Sequence, residues 1–270
     1  MNSDQKTATA FSTSWNNLPE GTIYTYEQFA DWFHPLKEEN IKDKKILELG
    51  CGNGSLMVHV ASLKPKFLTG VDLGNSVSSC EINMRNTNYK NYSIIKEDLT
   101  SFLTKEKYDL VYCIGVLHHL KNPLSGFKSV LENTEKGGRF HCWVYAKEGN
   151  TIIRYFVDPI RRISSKLPWW VTKYCIATPL SAAYFFYAKT VSKITLFQKF
   201  PLYEYSCWIS KREFAFFRHV AFDQLVTPQT RYFSKKEIKN LLKITPSIDL
   251  SSTYIIFRNG NSWKFGGIKH

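Results

Sequence analysis

The feature that most constrains this chain is a short apolar run that ends in glycines. Ile46-Leu47-Glu48-Leu49 leads directly into Gly50-Cys51-Gly52-Asn53-Gly54. The run has the length and composition of a buried strand. Three glycines at alternate positions let the backbone turn sharply and approach a ligand with no Cβ in the way. A strand feeding such a loop fits a mostly parallel sheet, in which ligands bind at the carboxyl ends of the strands. The loop alone does not identify a nucleoside, because dinucleotide folds use the related G-x-G-x-x-G spacing.

Strand and helix signals alternate after the loop. Residues 45–49, 67–73, 92–96, 108–114 and 139–145 read as strands, and 56–63, 77–86 and 123–133 as helices, with a turn at Gly137-Gly138. This alternation predicts an α/β chain with helices on both faces of the sheet. Residues 1–45 read as a helical lead-in. Residues 147–220 break the pattern, and the long apolar stretch 167–188 is interrupted by Lys173 and Pro179. It falls short of the ~20 uninterrupted apolar residues a membrane span needs, so two short helices split at Pro179 are expected. The pattern resumes with a helix at 234–242 and strands at 252–257 and 263–268. The expected division is a lead-in (1–45), a nucleoside-binding core (46–146), a lid (147–220) and a segment completing the sheet (221–270).

Two carboxylates give the loop its chemistry. Asp72 ends the second strand, where it can accept both hydroxyls of a ribose. Asp98 ends the third, where it can meet an adenine amino group or cap a helix. With Tyr108-Asp109-Leu110-Val111-Tyr112-Cys113-Ile114-Gly115 after them, these stations resemble the successive motifs of class I S-adenosylmethionine-dependent methyltransferases, over roughly residues 44–145. The resemblance implies a Rossmann-like, seven-stranded, mostly parallel sheet. It also implies S-adenosyl-L-methionine as cofactor, with S-adenosyl-L-homocysteine as product. Glu48, Gly50, Cys51, Gly52 and Asn53 would then line the amino-acid part of the cofactor. Asp72 and Leu73 would hold ribose and adenine, Asp98 and Leu99 the adenine edge, and Ile114 and Gly115 the methionine portion. Tyr26 is expected to cover the cofactor from the lead-in, with Tyr24 beside the acceptor and Trp15 nearby. Leu117-His118-His119-Leu120-Lys121-Asn122-Pro123 resembles a stretch of small-molecule methyltransferases. His118 and His119 are therefore the expected proton-transfer candidates, unranked. The blocks Glu148-Gly149-Asn150, Asp158-Pro159-Ile160-Arg161-Arg162, Phe222-Asp223-Gln224-Leu225-Val226-Thr227-Pro228 and Arg258-Asn259-Gly260-Asn261-Ser262-Trp263 resemble an uncharacterised bacterial branch of the same superfamily. The resemblance places Asp223, Gln224, Arg231 and Tyr232 over the site mouth or makes them ties between lid and sheet.

Charge is divided unequally. Residues 1–146 carry 16 basic and 16 acidic side chains, and the remaining 20 basic and 7 acidic ones make the whole net charge of +13. Such one-sidedness concerns partners rather than fold. In the second half cations interleave with aromatics, as in Arg154-Tyr155-Phe156 and Trp169-Trp170. The expected acceptor is a small or medium organic molecule, anionic in one version and methylated at O or N. The alternatives are tRNA or rRNA, a lipid-linked acceptor at a membrane surface, and a non-catalytic cofactor-binding scaffold. Six scattered cysteines give no metal-ligand spacing. Residues 1–10 lack the apolar stretch of a secretory signal, so a cytoplasmic location is expected. The sequence leaves the oligomeric state open.

Overall fold

A computed structural model describes residues 3–16, 23–200 and 202–270. Its centre is one seven-stranded sheet in the order β3-β2-β1-β4-β5-β7-β6. The strands are β1 (Lys45–Leu49), β2 (Phe67–Asp72), β3 (Tyr92–Lys96), β4 (Tyr108–Ile114), β5 (Thr134–Tyr145), β6 (Ile248–Arg258) and β7 (Ser262–Lys269). Strands β1 to β5 pair in parallel, and β7 runs antiparallel between β5 and β6. The order reverses at β1, whose neighbours are β2 and β4, so a crevice opens beyond the carboxyl ends of β1 and β4.

Strand alternation builds a core on each face. Leu47, Leu49, Val111 and Cys113 face one way, packing with Phe127 of α5 (Pro123–Asn133) and Ile238 of α11 (Lys235–Lys243). Ile46, Leu110 and Tyr112 face the other. There they meet Phe29 and Phe33 of α2 (Tyr26–Phe33), Met57 and Val60 of α3 (Ser55–Ser62), and Cys80 and Met84 of α4 (Val77–Arg85). Phe127, Phe140 and Phe265 are fully buried, each contributing roughly 2–3 kcal/mol by leaving water.

Helix α1 (Ser3–Asn16) lies across the crevice and packs on the helical insertion, which follows β5. The insertion comprises α6 (Asp158–Ser164), α7 (Trp169–Val171), α8 (Thr178–Val191), α9 (Tyr203–Ile209) and α10 (Phe214–Val226). Helix α10 crosses the boundary expected at residue 220. The split expected at Pro179 is absent, since residues 169–191 form one continuous helix. A π-helical segment, Thr172–Ala177, sits just ahead of the proline, and the Thr178 amide reaches back five residues to Lys173. The wider turn accommodates a ring that would clash with the preceding turn of an α-helix. The device occurs twice: Ile153–Val157 is π-helical ahead of Pro159, and the Asp158 amide bonds to the Ile153 carbonyl.

Strand β5 also begins earlier than expected, at Thr134. Its register against β4 jumps from Thr134 to Arg139. The residues between bulge out around Gly137, whose φ is +78°, a conformation cheap only for glycine. The sequence shows that bulge as a turn.

Candidate active site

The glycine loop is held from below by the sheet. The amides of Gly50 and Cys51 donate to the Val71 carbonyl at 2.7 and 3.1 Å. Gly50 has φ +89°, and a Cβ there would meet the Val116 side chain at 2.2 Å. Asp72 is fixed through both carboxylate oxygens: Gly52 N–H donates to Oδ2 at 2.9 Å and Gly74 N–H to Oδ1 at 2.7 Å. Burial raises its pKa, and the two amides oppose that rise. Each oxygen keeps a lone pair for an outside donor. Asp98 uses Oδ1 to bind the amide and hydroxyl of Thr100 at 2.8 and 2.7 Å. It closes a turn rather than capping a helix.

One cavity of about 520 Å³ joins these parts. Glu48, Gly50, Cys51, Gly52, Asn53, Asp72, Leu73, Asp98, Leu99, Ile114 and Gly115 all line it, as do Tyr24, His119, Gln224 and Tyr232. Tyr26, His118 and Arg231 do not. Tyr26 begins α2, and the capping box of Thr25 with Gln28 fixes that start. Tyr26 consequently faces out, against His59. Tyr24, before the cap, packs edge-on against Trp15 and Trp32 at 5.3 and 4.6 Å. Arg231 is exposed and paired with Glu237 at 3.4 Å.

The structure ranks the two histidines. His118 is fully buried behind the wall, 4.0 Å from the Tyr145 ring centre. Neither ring nitrogen has a hydrogen-bond partner. Burial, followed by the charges of His119 and Arg161, holds its pKa well below the ordinary value. It sits in an aromatic cluster outside the cavity lining. His119 lies at the cavity, 4.8 Å from Phe11. Its Nδ1–H donates to the Gln229 carbonyl at 2.9 Å, which leaves Nε2 as an acceptor. Burial lowers its pKa to about 3, so near neutral pH the ring is uncharged, with its one proton on Nδ1 and Nε2 free to accept a hydrogen bond.

The lid is tied to the sheet by a buried polar network. Arg161 is almost wholly buried and bonds the Gln224 carbonyl at 2.6 Å, the Gln224 side chain at 2.5 Å and Asp158 at 2.6 Å. Tyr232 donates to Asp158 at 2.9 Å, and the Gln224 amide donates to the Tyr145 hydroxyl at 2.6 Å. Gln224 and Tyr232 thus serve as ties and as cavity wall at once. Arg161 stood in one of the C-terminal blocks, but its partners Gln224 and Tyr232 lie 63 and 71 residues away, beyond any local signal.

Asp223, expected over the site mouth, had no chemical role assigned from the sequence. It lines the cavity from α10, and its Oδ1 is buried without a partner. Burial raises its pKa, while the neighbouring His219 ring and Ser14 pull it down. Burial lowers the pKa of His219, and Asp223 opposes that. Burial raises the Tyr24 pKa, and Asp223, Tyr145 and Glu48 add to the rise. Among the described residues no cluster of His, Cys, Asp or Glu could hold a metal.

Residues 40–158 match the family described as a methyltransferase domain. On this match, the segment is a methyltransferase domain. Beyond it, pavine N-methyltransferase of Thalictrum flavum subsp. glaucum is 34% identical over 116 residues, 42% of this chain and 31% of that protein. tRNA U34 carboxymethyltransferase of Sulfurimonas denitrificans is 27% identical over 145 residues, 50% of this chain and 48% of that protein. The chain thus spans between about a third and a half of the length of these curated relatives. Magnesium protoporphyrin IX methyltransferase of Synechocystis, solved with bound S-adenosylhomocysteine, aligns with 99% of this chain and 98% of its own at a TM-score of 0.56 and 12% identity. At that identity the likeness is one of fold, and it extends over the lid as well as the methyltransferase domain.

Proposed function

We propose that the protein transfers a methyl group from S-adenosylmethionine to nitrogen or oxygen of a small or medium organic acceptor, releasing S-adenosylhomocysteine. The observation that carries this reading is the single cavity: it joins the glycine loop and Asp72 to an aromatic chamber under the lid, where Asp223 presents an unpartnered oxygen.

The residues present fit the cofactor. A Cβ on Gly52 would stand in open cavity, its nearest neighbour the Trp15 indole nitrogen at 3.9 Å, so the glycine leaves room for a ligand against the backbone. Asp72 keeps acceptor capacity for two ribose hydroxyls in a fixed orientation, and Leu73 and Leu99 offer apolar surface to a base. Asp98 Oδ2 can receive an exocyclic amine. When bound, the sulfonium supplies an electrophilic methyl; the acceptor lone pair forms the new bond as the carbon–sulfur bond breaks.

This chain's own task is to orient the acceptor, exclude water and take its proton. The lid and α1 close the chamber with Phe11, Trp15, Tyr184 and Phe217. Holding two reactants in line removes much of the entropic barrier to such a displacement. Asp223 receives the acceptor proton on Oδ1, and the rise that burial gives its pKa suits it to hold that proton. His119 Nε2 orients the acceptor by accepting a hydrogen bond.

Calorimetry with S-adenosylmethionine and S-adenosylhomocysteine tests the cofactor half. Asp72→Ala should weaken both by about 150-fold, the lower end of the value of two hydrogen bonds to a charged group; equal binding by variant and parent would refute the placement. Asp223→Asn should bind cofactor normally yet lose about 100-fold in turnover, within the usual range for a general base. Transfer of labelled methyl to a cellular metabolite pool supplies the activity that this second variant must lower.

A further inference from the structure

The lid's outer surface has an unusual composition. From residue 159 to residue 203 there is no acidic side chain, while seven cations fall in that stretch. The apolar side chains there are not all inside. Phe156 and Ile163 are 68% and 67% exposed, and Leu167, Trp169, Trp170 and Tyr174 are exposed as well. Residues 151–164 form one helical run, on which Phe156 and Ile163 lie seven residues apart and so on one face. The chain then turns at Pro168 into the helix that begins with Trp169. The Lys173 ammonium lies 5.9 Å from the Trp169 ring and 5.6 Å from the Tyr174 ring. Arg154, Arg162 and Lys166 flank the same corner in sequence. The result is a protruding corner with apolar tips and a cationic rim.

The corner adjoins the cavity. Ile152, Phe156 and Leu180 are all exposed on the lid surface and also line the chamber. An apolar path therefore runs from the outer face of the lid to the acceptor space.

We infer that this corner docks on an anionic lipid bilayer, with the mouth of the chamber turned toward the lipid. A bilayer supplies both things the corner lacks: a negative surface for the cations and an apolar interior for the tips. A second copy of the chain would set like charges against each other. A nucleic acid would satisfy the cations and stack on the tryptophans, but it gives Ile163 and Leu167 nothing to pack into. The contact is peripheral, because among the described residues no helix is long and apolar enough to cross a membrane. The docking stands without the methyl-transfer reading. With that reading, it specifies a lipophilic acceptor that enters from the membrane side.

Sedimentation of the full chain with vesicles tests the inference without cofactor or acceptor. Phosphatidylcholine vesicles are compared with vesicles containing phosphatidylglycerol. Binding is expected only to the anionic vesicles and should fall with salt. Arg162→Ala and Lys166→Ala should each lower the partition coefficient about fivefold, the value of one cation near an anionic surface. Ile163→Ser and Trp170→Ser should each lower it about tenfold. All four variants should keep the parent's melting temperature and cofactor affinity, since none lines the cavity. Absence of binding to anionic vesicles, or variants that bind as well as the parent, would overturn the inference. So would displacement from vesicles by tRNA that the serine variants resist no less than the parent, which would assign the corner to RNA. A chain that sediments with vesicles but binds no S-adenosylmethionine would sink the methyltransferase reading and leave the docking intact.

Discussion

The methyltransferase domain and the lid hold their polar groups by different means. In the domain, Asp72 is fixed by two backbone amides of the glycine loop and its neighbour. Over residues 1–146 the formal charges balance. In the lid, Arg161 is fixed chiefly by side chains and a carbonyl that arrive from distant parts of the chain. Asp223 is left with an open oxygen, and the charge is one-sided. A backbone-held carboxylate depends on a few adjacent residues. A network held by side chains depends on the lid staying where it is. The first arrangement is rigid by local geometry; the second lasts only while the insertion keeps its place on the sheet.

The sharpest way to break this contrast is to cut the lid's tie. Arg161→Ala removes one partner of a buried pair and strands Asp158 and Gln224, a loss of about 3–5 kcal/mol. Limited proteolysis should then cut within residues 151–226 while the sheet remains protected. A uniform loss of protection across the whole chain would show that lid and sheet are one cooperative unit.

A smaller effect belongs to the domain. Burial raises the Glu48 pKa to about 8; the hydrogen bond from Tyr112 opposes the rise and the Asp72 charge adds to it. Between the ordinary value of 4.5 and 8, the folded chain holds a proton that the unfolded chain has released. Stability should therefore fall as pH rises through that window, by about 1 kcal/mol per pH unit. Glu48→Gln keeps an acceptor for Tyr112 and should flatten the fall. Melting temperatures at pH 5 and pH 8 measure the slopes, and parallel slopes would exclude Glu48 as their source.

The smallest effect is expected at His118. His118→Phe removes two unsatisfied nitrogens from an aromatic cluster and should change stability by less than about 1 kcal/mol, with a gain as the favoured sign. Cofactor affinity and turnover should not move. A large loss of turnover would return His118 to the reacting centre.

The legible parts of the molecule are those whose causes are local. Ile46 to Gly54 announced a buried strand and its loop because both signals lie within nine residues. Asp72 was legible because the end of a parallel strand is a fixed address in such a sheet. Tyr24 and Tyr26 could not be separated by composition; the cap at Thr25 divides them, leaving one before the helix and the other on its outer face. The role of Asp223 was not legible, because it comes from α1, Tyr24 and α10 meeting around it. Pro179 misled because a proline reads as a helix breaker, whereas the chain absorbs it with one wider turn.

Those wider turns have a consequence for how this lid can change. Each π segment amounts to one residue inserted into an otherwise regular spiral, and one residue corresponds to about 100° of rotation. Removing a single residue from Ile153–Val157 would restore ordinary winding and turn everything downstream by that angle. Ile163 would leave the outer face, and Arg161 would swing off Gln224. The facing of this lid is set by residue count as much as by residue identity, so an insertion or deletion can redirect it in one step where no substitution could.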